Sequence, residues 1–283
     1  MMQTSNISEA MHEEALEQTL VATRLDTSKT ITHKVSFLSK PRALTAIGCF
    51  AGPVIWILLK QFGIVSDRYL PAPMAVLEAF NEVEPSIFVH LAYTSIRLVT
   101  GFIAGSVTGI LLGLVMNKSV SLNRLLLPSL QSMRSIPAIA TVPFFLLWFG
   151  FSEIGKVILV VTGIAFNVAI ATLQVLREIP EKDRILFKSF GSDPTTFVVQ
   201  YSLPRIFEAL LPSLRFSLST AVGVVIVSEL LGAQIGLGYL IQTSRSTFSI
   251  HVIFLCMLLL GILNSLLDFA LTSGWSKLVY WKK

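Results

Sequence analysis

The sequence predicts an all-α, polytopic membrane protein with about six transmembrane helices, and three features carry that prediction. First, 53% of the 283 residues are hydrophobic and only 14% are charged, with a mean hydropathy of +0.72. This charge content is about half of what a soluble domain carries. Second, the apolar residues gather in stretches close to the roughly 20 residues that a bilayer demands. Third, the net charge of +5 is spread unevenly among the connecting segments. A membrane topology accounts for that bias, and a nucleic-acid surface does not.

Residues 1–42 read as a polar tail carrying Glu9, Glu13, Glu14 and Glu17. An apolar core behind a basic start is absent, so this is no signal peptide. Residues 43–283 hold the spanning segments. The first covers about Ala43 to Phe62, and its Pro53 is tolerable in a packed bundle. Ser66 to His90 is too polar and proline-broken to span; Ala75 to Phe80 suits a piece lying along the surface. The second span, about Leu91 to Met116, contains Gly101, Gly105, Gly109 and Gly113. Glycines at four-residue steps fall on one helix face and let a neighbouring backbone approach, for packing or for sliding along the seam. The third span, about Leu125 to Phe149, is interrupted by Pro128, Pro137 and Pro143. The fourth covers about Ile154 to Leu176, the fifth about Ala209 to Leu231 and the sixth about Ile250 to Leu271.

Basic residues orient these spans. Fifteen of them occupy the tail, the loop after Met116, the loop after Leu176 and the C-terminal end. Lys60, Arg68, Lys156 and Arg245 occupy the opposite side. The side with fifteen is cytoplasmic, and so are both termini and the long segment at about 177–208.

That long segment contains ILFKSFGSDPTTFVVQYSLP, from Ile185 to Pro204. Ile185, Leu186, Phe187 and Phe190 recur at helical spacing, and Gly191 supplies the backbone freedom for a turn. Asp193 and Pro194 then suit the cap and first position of a second helix. Phe197, Val198 and Tyr201 form its apolar stripe, with Leu203 and Pro204 at its end. Apolar side chains in a loop call either for a partner protein or for a resting place on the membrane surface.

This segment, taken with others, resembles the permease subunits of bacterial ABC importers, in the group of nitrate, sulfonate, taurine and bicarbonate systems. The cytoplasmic signature of that family reads Glu-Ala-Ala, three residues, Gly, nine residues, Ile, one residue, Leu-Pro. Gly191, Leu203 and Pro204 fall on the Gly and Leu-Pro positions, and Tyr201 replaces the Ile. Ile185-Leu186-Phe187 replaces the opening triplet, so its acidic residue is missing. The resemblance runs from about Tyr69 to Leu271, through LPAPMAVLEAF, SMRSIPAIATVPFFLLWFG, SELLGA and GLGYLI. It implies a type I importer permease fold in the bacterial inner membrane. It further implies two cytosolic ABC ATPase subunits, an extracytoplasmic substrate-binding protein and a second permease subunit, by expectation another copy. ATP and magnesium would be bound by the ATPases, leaving this chain without a cofactor of its own. The 185–204 segment would be the contact through which the ATPases drive the path. An oxyanion, sulfonate or bicarbonate-like solute heads the expected cargoes.

Other motifs yield no chemistry. GFSEIGKV, Gly150 to Val157, nearly matches a phosphate-binding loop, but Val157 stands where a Ser or Thr must reach magnesium. Gly236-Leu-Gly238 lacks the third glycine of a dinucleotide fingerprint, since Ile241 takes that place. The four histidines have no zinc spacing, and Cys49 and Cys256 both lie inside apolar segments. No nucleophile has a base near it in sequence, so the chain reads as a transport subunit rather than an enzyme.

Charges inside spans are costly and therefore informative. Arg134, beside Ser132, Ser135 and the break at Pro137, suits an anion path, snorkelling to the headgroups or a carboxylate partner. Arg215 suits snorkelling. Ser213, Ser217, Ala221 and Ser228 fall near one face of the fifth span, fit to line a path or to pack. Glu229 would repel anionic cargo, which favours a structural or gating role, and Gly232, Gly236 and Gly238 read as a flexible outer loop. Glu229 and Asp268 also leave open a transporter driven by an ion gradient.

Overall fold

The computed structural model describes residues 41–279 except Glu84, without the side chains of residues 41–50 and Pro194. The expected tail, up to residue 40, lies outside these residues. Among those described, every regular element is helical. The chain divides into two compact units, Met1–Val65 and Ser66–Lys283. In the first, α1 (Pro41–Gln61) is a 21-residue helix that keeps Pro53 in its interior. At 1.5 Å per residue it is about 31 Å long, the depth of a hydrocarbon core.

The second unit holds α2 (Pro73–Glu82), α3 (Ile87–Lys118), α4 (Val120–Ser135), a 3₁₀ turn (Ala138–Thr141) and α5 (Val142–Phe149). Then come α6 (Glu153–Arg177), α7 (Glu181–Ser189), α8 (Pro194–Phe197), a π turn (Val198–Ser202) and α9 (Leu203–Ala209). The unit ends with α10 (Leu211–Gly232), α11 (Leu237–Ser246) and α12 (Ile250–Leu278). Among the described residues, α3, α6, α10 and α12 are long and apolar enough to cross a membrane. The bent pair of α4 with the 3₁₀ turn and α5 raises that count from four to five if it is one span.

The pair bends by 87°, so the expected third span is not a straight rod. Ile136 is forced extended (φ −79°, ψ 121°) by the proline that follows it, which ends α4 at Ser135. Irregular backbone at membrane depth is tolerated where protein buries it or a wet cavity borders it. Here Ala138 packs near Gly163 of α6, and Ile139 near Gly223 of α10.

Among the described residues, the most extensive helix–helix contact is between α3 and α6. A Cβ added at Gly101 would come within 2.7 Å of Val160, and one at Gly105 would meet Ile164 and the Val161 carbonyl at 2.9 and 3.0 Å. At Gly109 it would lie 2.7 Å from the Ala165 carbonyl, and at Gly113 2.9 Å from that of Ala169. Gly105, Gly109 and Gly113 therefore lie against the α6 backbone itself and Gly101 against the Val160 side chain, approaches that any added side chain would prevent. The same core extends to α10, where Leu214, Ala221, Val224 and Val225 join Leu159, Ile164 and Val168 of α6. In this way α6 becomes the central helix, packed against both α3 and α10.

Two corrections to the sequence reading follow. The segment after Gly236 is a helix, α11, with Leu237, Gly238, Leu240 and Ser244 buried, rather than a flexible loop. Pro204 sits inside a continuous helical run from 194 to 209 rather than at its end. The π turn makes that continuity workable. Proline lacks an N–H and crowds the carbonyl four residues earlier. The run widens one turn ahead, the Leu203 N–H reaching the Val198 carbonyl five residues back.

Candidate functional site

Two clusters stand at opposite ends of the bundle. The first is the helical hairpin of α7 to α9, which joins the C-terminal end of α6 to the N-terminal end of α10. Glu181 and Asp183 lie in the first turn of α7 and Lys188 in the last, each favourable to the helix dipole. The turn is a Schellman cap: the Ser192 N–H bonds the Phe187 carbonyl (3.1 Å) and the Gly191 N–H that of Lys188 (3.0 Å). Gly191 has φ +71°, a left-handed conformation that costs other residues energy. Asp193 follows, its carboxylate accepting the Thr195 hydroxyl and its carbonyl the Phe197 N–H.

Aromatic packing closes the inside of the hairpin. Phe187 meets Phe197 and Tyr201 edge-on, at centroid distances of 5.2 and 5.5 Å, while Phe197 and Tyr201 stack at 5.2 Å. Such pairs contribute about 0.5–1.5 kcal/mol each beyond area burial. The Tyr201 hydroxyl donates to Asp183 of α7, which ties the two helices and holds the phenol above its ordinary pKa. Leu203 packs on the core, and buried Ile206 and Leu210 anchor the base. With Phe187, Phe197 and Tyr201 turned inward, the outer surface is left to Ile185 (62% exposed), Leu186 (53%), Phe190 (78%) and Val199 (60%). An apolar surface on a charged hairpin fits a partner protein.

The second cluster was only half visible in the sequence. Arg97, three turns into α3, is 4% exposed and bonds two carboxylates at once. Its Nε and Nη2 donate to Glu153 of α6 at 2.5 and 2.8 Å, and its Nη1 donates to Glu229 of α10 at 2.6 Å. Nη1 also reaches the Ile235 carbonyl at 2.7 Å. Glu229 accepts from Thr94 (3.0 Å) and from the Gly238 N–H (2.9 Å), and buried Lys156 gives Glu153 a second cation at 2.9 Å. Gly236, at φ +143°, donates to His90 Nδ1 and lies so near Glu229 that a Cβ would collide with the carboxylate. Beside the network, Tyr93, Arg97, Phe151, Glu153, Lys156 and residues 231–235 at and after the end of α10 line a pocket of about 550 Å³. Removing one partner of a buried pair such as Arg97–Glu229 costs about 3–5 kcal/mol.

The expected path residues do not form one surface. Arg134, Ser132 and Ser135 are exposed near the break after α4, and both serine hydroxyls bond carbonyls of their own helix. Ser217, Ala221, Ser228 and Glu229 are buried within the bundle. Arg215, expected to snorkel, has a protein partner: its Nε and Nη2 each bond a carboxylate oxygen of Asp268 on α12 at 2.7 Å. Sequence reasoning overlooked Arg97. Its signal was there, a lone arginine inside the most glycine-rich span with Glu229 as a candidate counter-ion.

Comparison with known proteins gives a consistent result. The family of binding-protein-dependent transport system inner membrane components matches residues 105–273. A putative aliphatic sulfonates transport permease of Bacillus subtilis is 30% identical, over 81% of this chain and 83% of its own length. Its Escherichia coli counterpart is 32% identical, over 76% of this chain and 82% of its own. Among solved structures, an inward-facing methionine ABC transporter, MetNI, superimposes with a TM-score of 0.56 at 21% identity, covering 70% of this chain and 98% of that one.

Proposed function

This chain belongs to the family of binding-protein-dependent transport system inner membrane components, and we propose that it couples a cytosolic ATPase to solute uptake through the α7–α9 hairpin. It is a multi-pass ABC importer permease, a transport subunit and not an enzyme. The observation that carries the proposal is the exposed surface of Ile185, Leu186, Phe190 and Val199 on a hairpin braced from within. Two permease copies enclose the path, two ATPase subunits hold their hairpins from the cytoplasm, and a binding protein delivers solute at the opposite face. ATP closes the ATPase dimer, the hairpins move with it, and the bundles pass between inward-open and outward-open forms. The relatives favour an aliphatic sulfonate as the solute class. An ion-gradient mechanism has less support, because Glu229 and Asp268 are each held by an arginine.

The test is Phe190→Asp and Gly191→Val in the assembled complex, reconstituted with binding protein and a radiolabelled short alkanesulfonate. Both variants reach the membrane, and both lose uptake together with solute-stimulated ATP hydrolysis. Normal uptake and stimulation in both variants, at matched expression, would contradict the proposal.

A further inference from the structure

We propose that Arg97 is a positioning residue for transport: it ties the far ends of α6 and α10 so that movement of the hairpin tilts both helices as one lever. The inference rests on the hairpin being the ATPase contact. The hairpin hangs between these two helices, entering from the C-terminal end of α6 and leaving into the N-terminal end of α10. A force applied there reaches both. The helices have 25 and 22 residues, so each carries the motion about 33–37 Å to its other end. Apolar packing between them resists separation, but it is non-directional and resists sliding weakly.

Directional resistance sits at the far ends, where one guanidinium bridges them. Its bidentate side grips Glu153, the first residue of α6, and its remaining nitrogen grips Glu229, three residues from the end of α10. The base of that grip is α3, held along α6 by the glycine seam. On the same face of α3, His90 and Thr94 fix the start of α11, through the Gly236 and Leu237 N–H groups at 3.0 and 2.9 Å. Only a planar fork can serve both carboxylates from one position; a lysine ammonium has no such geometry. Glu153 is the accessible member, its side chain 56% exposed, whereas Glu229 is enclosed.

The experiment uses the complete complex in nanodiscs, with spin labels at Ser192→Cys on the hairpin, Ile154→Cys on α6 or Leu231→Cys on α10. Pulsed distance measurements between the two permease copies are made with and without ATP plus vanadate. In the unmodified complex all three label positions shift with nucleotide. In Arg97→Lys and in Glu153→Gln the Ser192 shift persists, the Ile154 and Leu231 shifts diverge, and solute moved per ATP hydrolysed falls several-fold. If both variants keep the far-end shifts and the transport ratio, the tie is refuted. Should Arg97→Lys fail to assemble, Glu153→Gln decides alone, because its side chain is half in solvent. If Ser192 does not respond even in the unmodified complex, the hairpin reading fails first and takes this inference with it. A loss of all shifts with intact assembly also overturns the tie, since it would place Arg97 upstream of the hairpin response.

Discussion

Substituting Gly109 by alanine tests the α3–α6 seam where it comes nearest the α6 backbone. The new methyl would sit 2.7 Å from the Ala165 carbonyl oxygen, 2.7 Å from Val168 Cβ and 2.9 Å from Val168 Cγ1. Comfortable carbon contacts lie at about 3.5–4.0 Å, so roughly 1 Å of separation is required. A side chain alone cannot supply it, because one of the obstructing atoms belongs to the backbone of α6. The helices must part, and overpacking of this kind costs about 1–3 kcal/mol even after the modest helix-propensity gain of alanine. A second prediction is built into the same geometry. Gly105 meets the Val161 carbonyl at 3.0 Å, so helices already parted at Gly109 leave room for a methyl at Gly105. The Gly105→Ala/Gly109→Ala double variant therefore loses less than the sum of the single losses. Gly261→Ala is the control, with nothing within 4 Å of the added atom. Thermal unfolding in detergent reads the difference, at about 2–4 °C per kcal/mol for a chain of this size. The reasoning is refuted if Gly109→Ala melts with Gly261→Ala, or if the double loss exceeds the sum.

Two further outcomes follow from pairings between elements. Arg215→Asp and Asp268→Arg each put like charges opposite one another across α10 and α12 and lower the melting temperature, while the double exchange recovers most of the loss; a double variant no better than either single would remove the pair from the account. Tyr201→Phe keeps the aromatic trio but frees Asp183, so protease cutting within the hairpin rises while global melting barely changes. The Asp183 bond favours the neutral phenol, so its contribution is complete below the usual phenol range and is lost as pH rises through the elevated value. An ultraviolet titration accordingly shows a late-ionising component that disappears in Tyr201→Phe.

Much of the fold is legible in the sequence because hydrophobicity and chain punctuation are local signals. The apolar runs locate α3, α6 and α10 to within a few residues and the start of α12, which continues seven residues past the expected Leu271 to Leu278, and Gly191 with Asp193-Pro194 locates the turn between α7 and α8. Proline marks the break between α4 and α5, but not the 87° bend, which depends on what Ala138 and Ile139 pack against. The glycines around residue 236 suggest a loop; α11 exists because Glu229, Thr94 and His90 hold its first N–H groups, from positions far away in the chain. Arg97–Glu229 and Arg215–Asp268 are separated by 132 and 53 residues, distances over which hydropathy carries no information. The aromatic stripe of Phe187, Phe197 and Tyr201 has helical periodicity, but periodicity does not say which face is inward. Their mutual packing turns them inside and leaves Phe190 to the surface.

The central claim is that the exposed face of the hairpin is where the motor subunit holds this permease. Replacing Phe190 by a photo-cross-linking phenylalanine analogue and irradiating intact cells tests it directly. The account predicts a single major adduct with a nucleotide-binding subunit, lost when Ile185 and Leu186 are both changed to aspartate. An adduct with an extracytoplasmic protein, or with lipid alone, would contradict it.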